Sequence, residues 1–158
     1  MAEYDFIIIG AGSAGCILAE RLSASGQHSV LVLEAGGAGK SPWIALPIGY
    51  GKTFYDERVN WMYRTEPEPA LDGRVGYWPR GKGIGGSGAI NAMVYARGLP
   101  SDFADWPEGW DWPSVKVTYE ALETRIDRDG RRTGRGPLHV QDVSDQIHPV
   151  TDRFFAAT

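Results

Sequence analysis

Gly10, Gly12 and Gly15 stand in the pattern G-x-G-x-x-G between an apolar run and a helical pattern, and they constrain the fold more than any other part of the chain. Tyr4 to Ile9 (YDFIII) reads as a short strand of the kind buried on both faces of a parallel sheet. From Ser13 to Ser25 the apolar residues Ala14, Ile17, Leu18 and Leu22 recur at helical spacing. Ala19 is small enough for close packing there, and Gly26 is placed to end the helix. Ser29 to Leu33 (SVLVL) reads as a second buried strand ending at Glu34. Strand, helix and strand within about thirty residues make a βαβ unit with a right-handed crossover. The fold class is therefore α/β, of the Rossmann type.

Each glycine has a mechanical task in that setting. Gly10 permits the turn out of the strand, Gly12 lets the backbone approach a pyrophosphate, and Gly15 lets the helix lie on the strand. The helix N-terminus offers unpaired N–H groups and a positive dipole end to phosphates. Glu34, nineteen positions past Gly15, is placed to accept hydrogen bonds from ribose hydroxyls. An acid there, with no nearby arginine, disfavours a phosphorylated ribose. Taken alone, the unit admits an NAD-dependent dehydrogenase as well as an FAD protein. Gly36 to Ser41 (GGAGKS) imitates the end of a phosphate-binding P-loop, but the first glycine of that motif would fall on Glu34, and Pro42 and Pro47 prevent the long helix it must feed.

Glycine, at 21 of 158 residues, gathers at 10–15, 36–39 and 81–88, so it marks local backbone tasks. The apolar fraction of 42% suffices for the core of one ordinary domain. The net charge of −4 comes with scattered basic residues, which excludes a nucleic-acid footprint. A single cysteine, Cys16, forms no internal disulfide and is expected to pack as a small apolar residue on the sheet, in a reducing compartment. No apolar run is long enough for a membrane span, and no leader pattern precedes the first strand, so a cytoplasmic location is expected.

Residues 35–53 carry too much Gly and Pro for a helix or a long strand. Asn60 to Thr65 suits a short strand, and Asp72-Gly73 marks a turn. Ala89 to Ala96 is an apolar segment compatible with a helix. Pro113 is placed to open a helix running to about Glu123. Glu123 to Gly136 (ETRIDRDGRRTGRG) reads as a charged, mobile loop. Pro137 to Val140 suits a strand, and Pro149 to Ala157 a helix that reaches Thr158 uncapped, with Phe154 and Phe155 in need of a packing partner, as expected of a chain that has been cut.

The second glycine cluster, Arg80-Gly81-Lys82-Gly83-Ile84-Gly85-Gly86-Ser87-Gly88-Ala89-Ile90-Asn91, runs straight into an apolar segment, which suggests close approach to a ligand. Successive N–H groups make an anion nest, and Arg80 and Lys82 would add charge near a pyrophosphate. Here the sequence resembles the glucose-methanol-choline (GMC) oxidoreductase family over nearly its whole length: YDFIIIGAGSAGCILAERLS with VLVLEAGG, then NWMYRTEPE, and most specifically GKGIGGSGAINAMVYARG at residues 81–98. WPEGWDW and GPLHV are similar to family segments as well.

The resemblance implies a Rossmann-type FAD-binding domain, like that of glutathione reductase, followed by the start of an α+β cap or substrate region. It implies that Gly10, Gly12, Ser13, Ala14, Gly15, Glu34 and Ala35 contact the ADP part of FAD. Arg80, Gly81, Gly86, Ser87, Asn91, Ala92, Met93 and Val94 would line the pyrophosphate and isoalloxazine part. Residues 1–36 and 77–98 would then be FAD-binding elements, 37–76 a connection along the cofactor, and 99–158 the start of the cap. Some members attach FAD through a histidine at the position of Ile90, so noncovalent FAD is expected here.

The family's catalytic histidine comes from a C-terminal segment absent from these residues, so no catalytic residue is assigned. The remainder of the polypeptide or a second chain would supply it. His28, His139 and His148 are expected to be structural or solvated. Phe103, Trp106, Trp110 and Trp112 are expected to be buried packing in the cap. The implied activity is hydride transfer from a small alcohol to flavin N5, giving an aldehyde or ketone, with oxygen or another acceptor taking the electrons. The alternative is a dinucleotide-binding fragment without catalysis.

Overall fold

The computed structural model describes residues 3–157, so Thr158 lies outside the described residues. The chain divides into two compact units, residues 1–94 and 95–158.

In the first unit, β1 (Phe6–Ile9) pairs in parallel with β2 (Val30–Leu33), Phe6 opposite Val30 and Ile9 opposite Leu33. The crossover is α1 (Ser13–Ser23), two residues shorter than its pattern suggests, with Gly26 at φ +69° taking the chain out of it. No further strand flanks β1 or β2 among the described residues. Burial on both faces is accordingly not achieved: Ile8 is buried, but Ile7 and Ile9 are 59% and 87% exposed. Cys16 is likewise exposed, its thiol directed to the Ala11 carbonyl oxygen rather than into a core.

The glycine- and proline-rich connection contains single helical turns, α2 (Pro42–Ala45) and α3 (Tyr50–Thr53), with a 3₁₀ turn at Pro47–Gly49 between them. Proline at the first position of a turn accounts for α2 and the 3₁₀ turn, since its fixed φ suits a helix start. β3 (Tyr63–Arg64) and β4 (Tyr77–Trp78) form a small antiparallel ribbon. The chain reverses through Asp72 and Gly73, both at positive φ. Ala89 to Ala96 is not helical. Only Gly86–Ala89 makes a 3₁₀ turn, and Met93 sits in the left-handed region at φ +59° with its N–H on Asn91 Oδ1.

In the second unit, Asp111 caps α4 (Trp112–Leu122) by accepting from the Ser114 N–H. The charged segment after α4 is ordered rather than a mobile loop. β5 (Glu123–Ile126) lies between antiparallel β6 (Arg132–Gly134) and parallel β7 (Leu138–Gln141). Its glycines serve close approach, because a Cβ on Gly136 would stand 2.0 Å from the Leu122 carbonyl carbon. Glu123, 2% exposed, is held by Arg97 through its Nε and Nη2 and by the Tyr95 hydroxyl. α5 (Val150–Ala156) closes the described chain. Phe103, Trp106, Trp110 and Trp112 do touch through tilted ring contacts, yet Trp106 and Trp110 are 50% and 62% exposed, so they are a surface cluster and not a buried one. No helix among the described residues is long and apolar enough to cross a membrane.

Candidate dinucleotide cradle

Three backbone segments of the first unit converge beyond the ends of β1 and β2. The turn at Gly10–Gly12, the stretch Gly36–Gly37 and the second glycine loop are laced by direct hydrogen bonds. The Gly85 N–H donates to the Ala11 carbonyl at 2.8 Å, and the Ile84 N–H donates to the Gly37 carbonyl at 3.1 Å. Gly12 bridges Gly85, and Gly37 bridges Gly83, in parallel register. The approach is close enough that a Cβ on Gly86 would stand 2.9 Å from the Gly12 Cα. Within the loop, Gly81 donates to Ser87 Oγ at 3.0 Å, and a Cβ on Gly81 would meet the Gly86 carbonyl at 2.0 Å.

The three leading glycines have different reasons to be glycine. Gly10 adopts φ +98°, a conformation side chains rarely take. Gly15 packs α1 on the turn, with its would-be Cβ only 2.0 Å from the Gly10 carbonyl oxygen. Gly12 has an ordinary φ of −76°, and its would-be Cβ meets nothing closer than the Gly86 Cα at 3.8 Å. Neither conformation nor packing within the chain accounts for a glycine there. Gly12 is also the N-cap of α1, which has no side-chain cap, so the first-turn N–H groups of Ser13, Ala14 and Gly15 have no partner from the helix itself.

Glu34 does more than end a strand. Its Oε2 accepts from the Ala11 N–H at 2.7 Å and its Oε1 from the Gly36 N–H at 2.9 Å, so one carboxylate holds the first glycine turn and the Gly36 stretch together. Those N–H groups, Gly36 first and then Ala11, hold its carboxyl below the usual value of 4.5. Each oxygen keeps acceptor capacity for a further donor. The sign of the pH dependence follows: this stabilisation is complete above about pH 4.5 and is lost as the pH falls through the depressed folded value. A Glu34→Gln variant is expected to lack that acid-side step when melting temperature is followed against pH.

The other expected residues have different surroundings. Gly81, Gly86 and Ser87 belong to the laced loop, and Ala35 begins the stretch beside it. Arg80 and Lys82 have aromatic partners: the Arg80 guanidinium lies 5.1 Å from the Trp78 ring and the Lys82 ammonium 4.9 Å from the Trp61 ring. Asn91 and Met93 line a small cleft of about 120 Å³ with Trp43, Leu46, Pro47 and Tyr50, while Ala92 and Val94 are exposed. Ile90 is 3% exposed and packs beneath the loop. None of the histidines joins this set: His28 stacks edge-on to Phe6, His139 is an exposed residue of β7, and His148 accepts the Val150 N–H at the start of α5.

Reading the sequence alone missed Asn60. It is 2% exposed, and its side chain makes four hydrogen bonds, including one from the Arg80 N–H at the entrance to the second glycine loop. Its burial shows only in three dimensions, because its partners lie up to twenty positions away.

Comparison with known proteins places this arrangement. The GMC oxidoreductase family model matches residues 4–158. The oxygen-dependent choline dehydrogenase of Vibrio vulnificus is 49% identical over 141 residues, which cover 86% of this chain and 25% of that protein. Among solved structures, pyridoxine 4-oxidase from Mesorbium loti superposes with a TM-score of 0.82 at 35% identity, over 98% of this chain and 31% of that one. A formate oxidase variant from Aspergillus oryzae RIB40, solved in work on FAD modification, gives a TM-score of 0.78 at 25% identity, over 96% of this chain and 29% of that one. The chain thus spans between a quarter and a third of the length of these proteins.

Proposed function

The chain belongs to the GMC oxidoreductase family, and from that premise we propose that its first unit holds the FAD of a flavin-dependent alcohol oxidoreductase, without a covalent link. The observation that carries the reading is Gly12, a glycine that neither its φ nor its neighbours require, at the N-terminus of α1. A pyrophosphate lying there accounts for the missing side chain and takes up the free N–H groups of the first turn. The residues fit the cofactor in other respects. Glu34 has remaining acceptor positions for ribose hydroxyls, and the four glycines from Gly81 to Gly86 bring that loop's backbone against the first glycine turn. Arg80 borders the same loop, and Asn91 to Val94 extend from it toward the ring end of the dinucleotide. Ile90 offers no nucleophile for covalent attachment and is buried, so the flavin is held by contacts alone.

When bound, the flavin supplies the two-electron chemistry by which an alcohol carbon becomes an aldehyde or ketone, and oxygen or another acceptor takes the electrons onward. The contribution of these residues is binding and orientation. Residues 1–36 and 77–98 are the FAD-binding elements in this reading, 37–76 the connection along the cofactor, and 99–158 the start of the cap or substrate region. The histidines here lie in a strand, a turn and a helix start, so the proton-handling residues belong to the rest of the polypeptide or to a second chain.

An absorbance spectrum taken before and after acid precipitation tests the reading. A flavin spectrum that passes into the supernatant is expected. Colour retained in the precipitate would overturn the noncovalent assignment, and a colourless protein that takes up no added FAD would overturn the site.

A further inference from the structure

Asn60 is a buried amide with every polar atom engaged. Its Nδ2 donates to the Phe54 carbonyl at 2.8 Å and to the Tyr77 hydroxyl at 3.0 Å. Its Oδ1 accepts from the Met62 N–H at 2.9 Å and from the Arg80 N–H at 3.0 Å. The two halves of the side chain therefore face different neighbours. The donor half ties down the end of α3 and the ribbon at Tyr77, whose hydroxyl also donates to Phe54. The acceptor half holds Met62 in its left-handed conformation, φ +53°, and fixes the backbone at Arg80.

The Arg80 end leads to the cradle through a short series of rigid contacts. Asn60 and Gly81 form an antiparallel bridge. It is flanked by the Trp61 N–H donating to the Arg80 carbonyl and the Lys82 N–H donating to the Val59 carbonyl, each at 2.8 Å. Gly81 lies against the Gly86 carbonyl with no room for a side chain, and Gly86 lies against Gly12 with none either. Backbone packed on backbone has little freedom to relax, so a displacement at Arg80 is passed to Gly86 and changes the gap at Gly12.

We propose that Asn60 is a positioning residue for the cofactor: through the Arg80 N–H its Oδ1 sets how closely the second glycine loop approaches the first, and so the width of the space a dinucleotide pyrophosphate enters. The inference rests on the FAD reading above. It assigns the flavin-related role to the acceptor half of the amide and a structural role alone to the donor half.

The test compares Asn60→Ala and Asn60→Asp in the protein. FAD affinity is measured by titration of the apoprotein, the visible circular dichroism of the bound flavin is recorded, and apoprotein melting is followed separately. Asn60→Ala is expected to weaken FAD binding about tenfold or more and to change the flavin dichroism, because the cradle loses its spacing. Should Asn60→Ala fail to fold, Asn60→Asp carries the test, since it keeps the acceptor oxygen toward Arg80 and Met62. It is expected to retain the wild-type flavin signature despite lower stability, and loss of that signature overturns the assignment. An Asn60→Ala protein with unchanged affinity and dichroism overturns it as well. Failure of the wild-type protein to take up FAD removes instead the reading on which the inference stands.

Discussion

Gly12→Val is expected to abolish FAD binding, with a loss of affinity of at least about a hundredfold, while the unloaded protein keeps its melting temperature. The two halves of that expectation have separate causes. Valine accepts extended backbone readily, and Gly12 has φ −76° and ψ −173° with ordinary contact distance at the Cβ position, so the fold has no reason to object. The branched carbons then occupy the space in front of the first turn of α1, where the phosphates would lie. Gly15→Val makes the contrast. Its Cβ would stand 2.0 Å from the Gly10 carbonyl oxygen, so that variant should unfold the βαβ unit whether or not a cofactor is present. Titration of FAD into each apoprotein, together with thermal melting, separates the cases. Stoichiometric flavin in Gly12→Val would show that the phosphates lie elsewhere.

The second unit offers a comparably large effect without any ligand. Glu123→Ala should destabilise it by about 3 kcal/mol, because the substitution leaves the Arg97 guanidinium and the Tyr95 hydroxyl facing a site built for a carboxylate. The Arg97 hydrogen bonds are the main cause holding the Glu123 carboxyl below its usual 4.5, with burial opposing them. Its contribution is therefore present above about pH 4.5 and fades as the pH falls through the lowered folded value. Glu123→Gln keeps the shape and removes the charge. It should be less stable than wild type at neutral pH and should lack that acid-side transition, as read from denaturant unfolding at a series of pH values. An unaltered acid limb in Glu123→Gln would mean that another group governs it.

What could be read from the sequence was what is local. The turn at Gly10 to Gly15, the helix after it and the strand ending at Glu34 declare themselves through spacing within some thirty residues. The start of α4 does so through Pro113. The failures share a cause of the opposite kind. Glu123 to Gly136 has the composition of a solvated loop, yet β5 forms because Arg97 neutralises Glu123 from 26 positions away and because Gly136 lets the chain pass against Leu122. Ala89 to Ala96 has the composition of a helix, but the Asn91 side chain captures the Met93 N–H and turns the backbone left-handed. Glu34 stands out in the sequence as the acid that ends the second strand, while its grip on the Ala11 and Gly36 N–H groups depends on where two loops meet.

The parallel pair β1–β2 has a consequence for handling the protein. Both of its outer edges carry backbone donors and acceptors with no strand beside them among the described residues, and Ile7, Ile9 and Leu33 stand exposed on its faces. The run FIII has high strand propensity, no proline and no charge to discourage pairing with another copy of itself. The strand pair that precedes the glycine turns is therefore an aggregation template whenever nothing covers it. A preparation of these residues alone is best kept dilute and cold, and a soluble one implies that the sheet has found a cover.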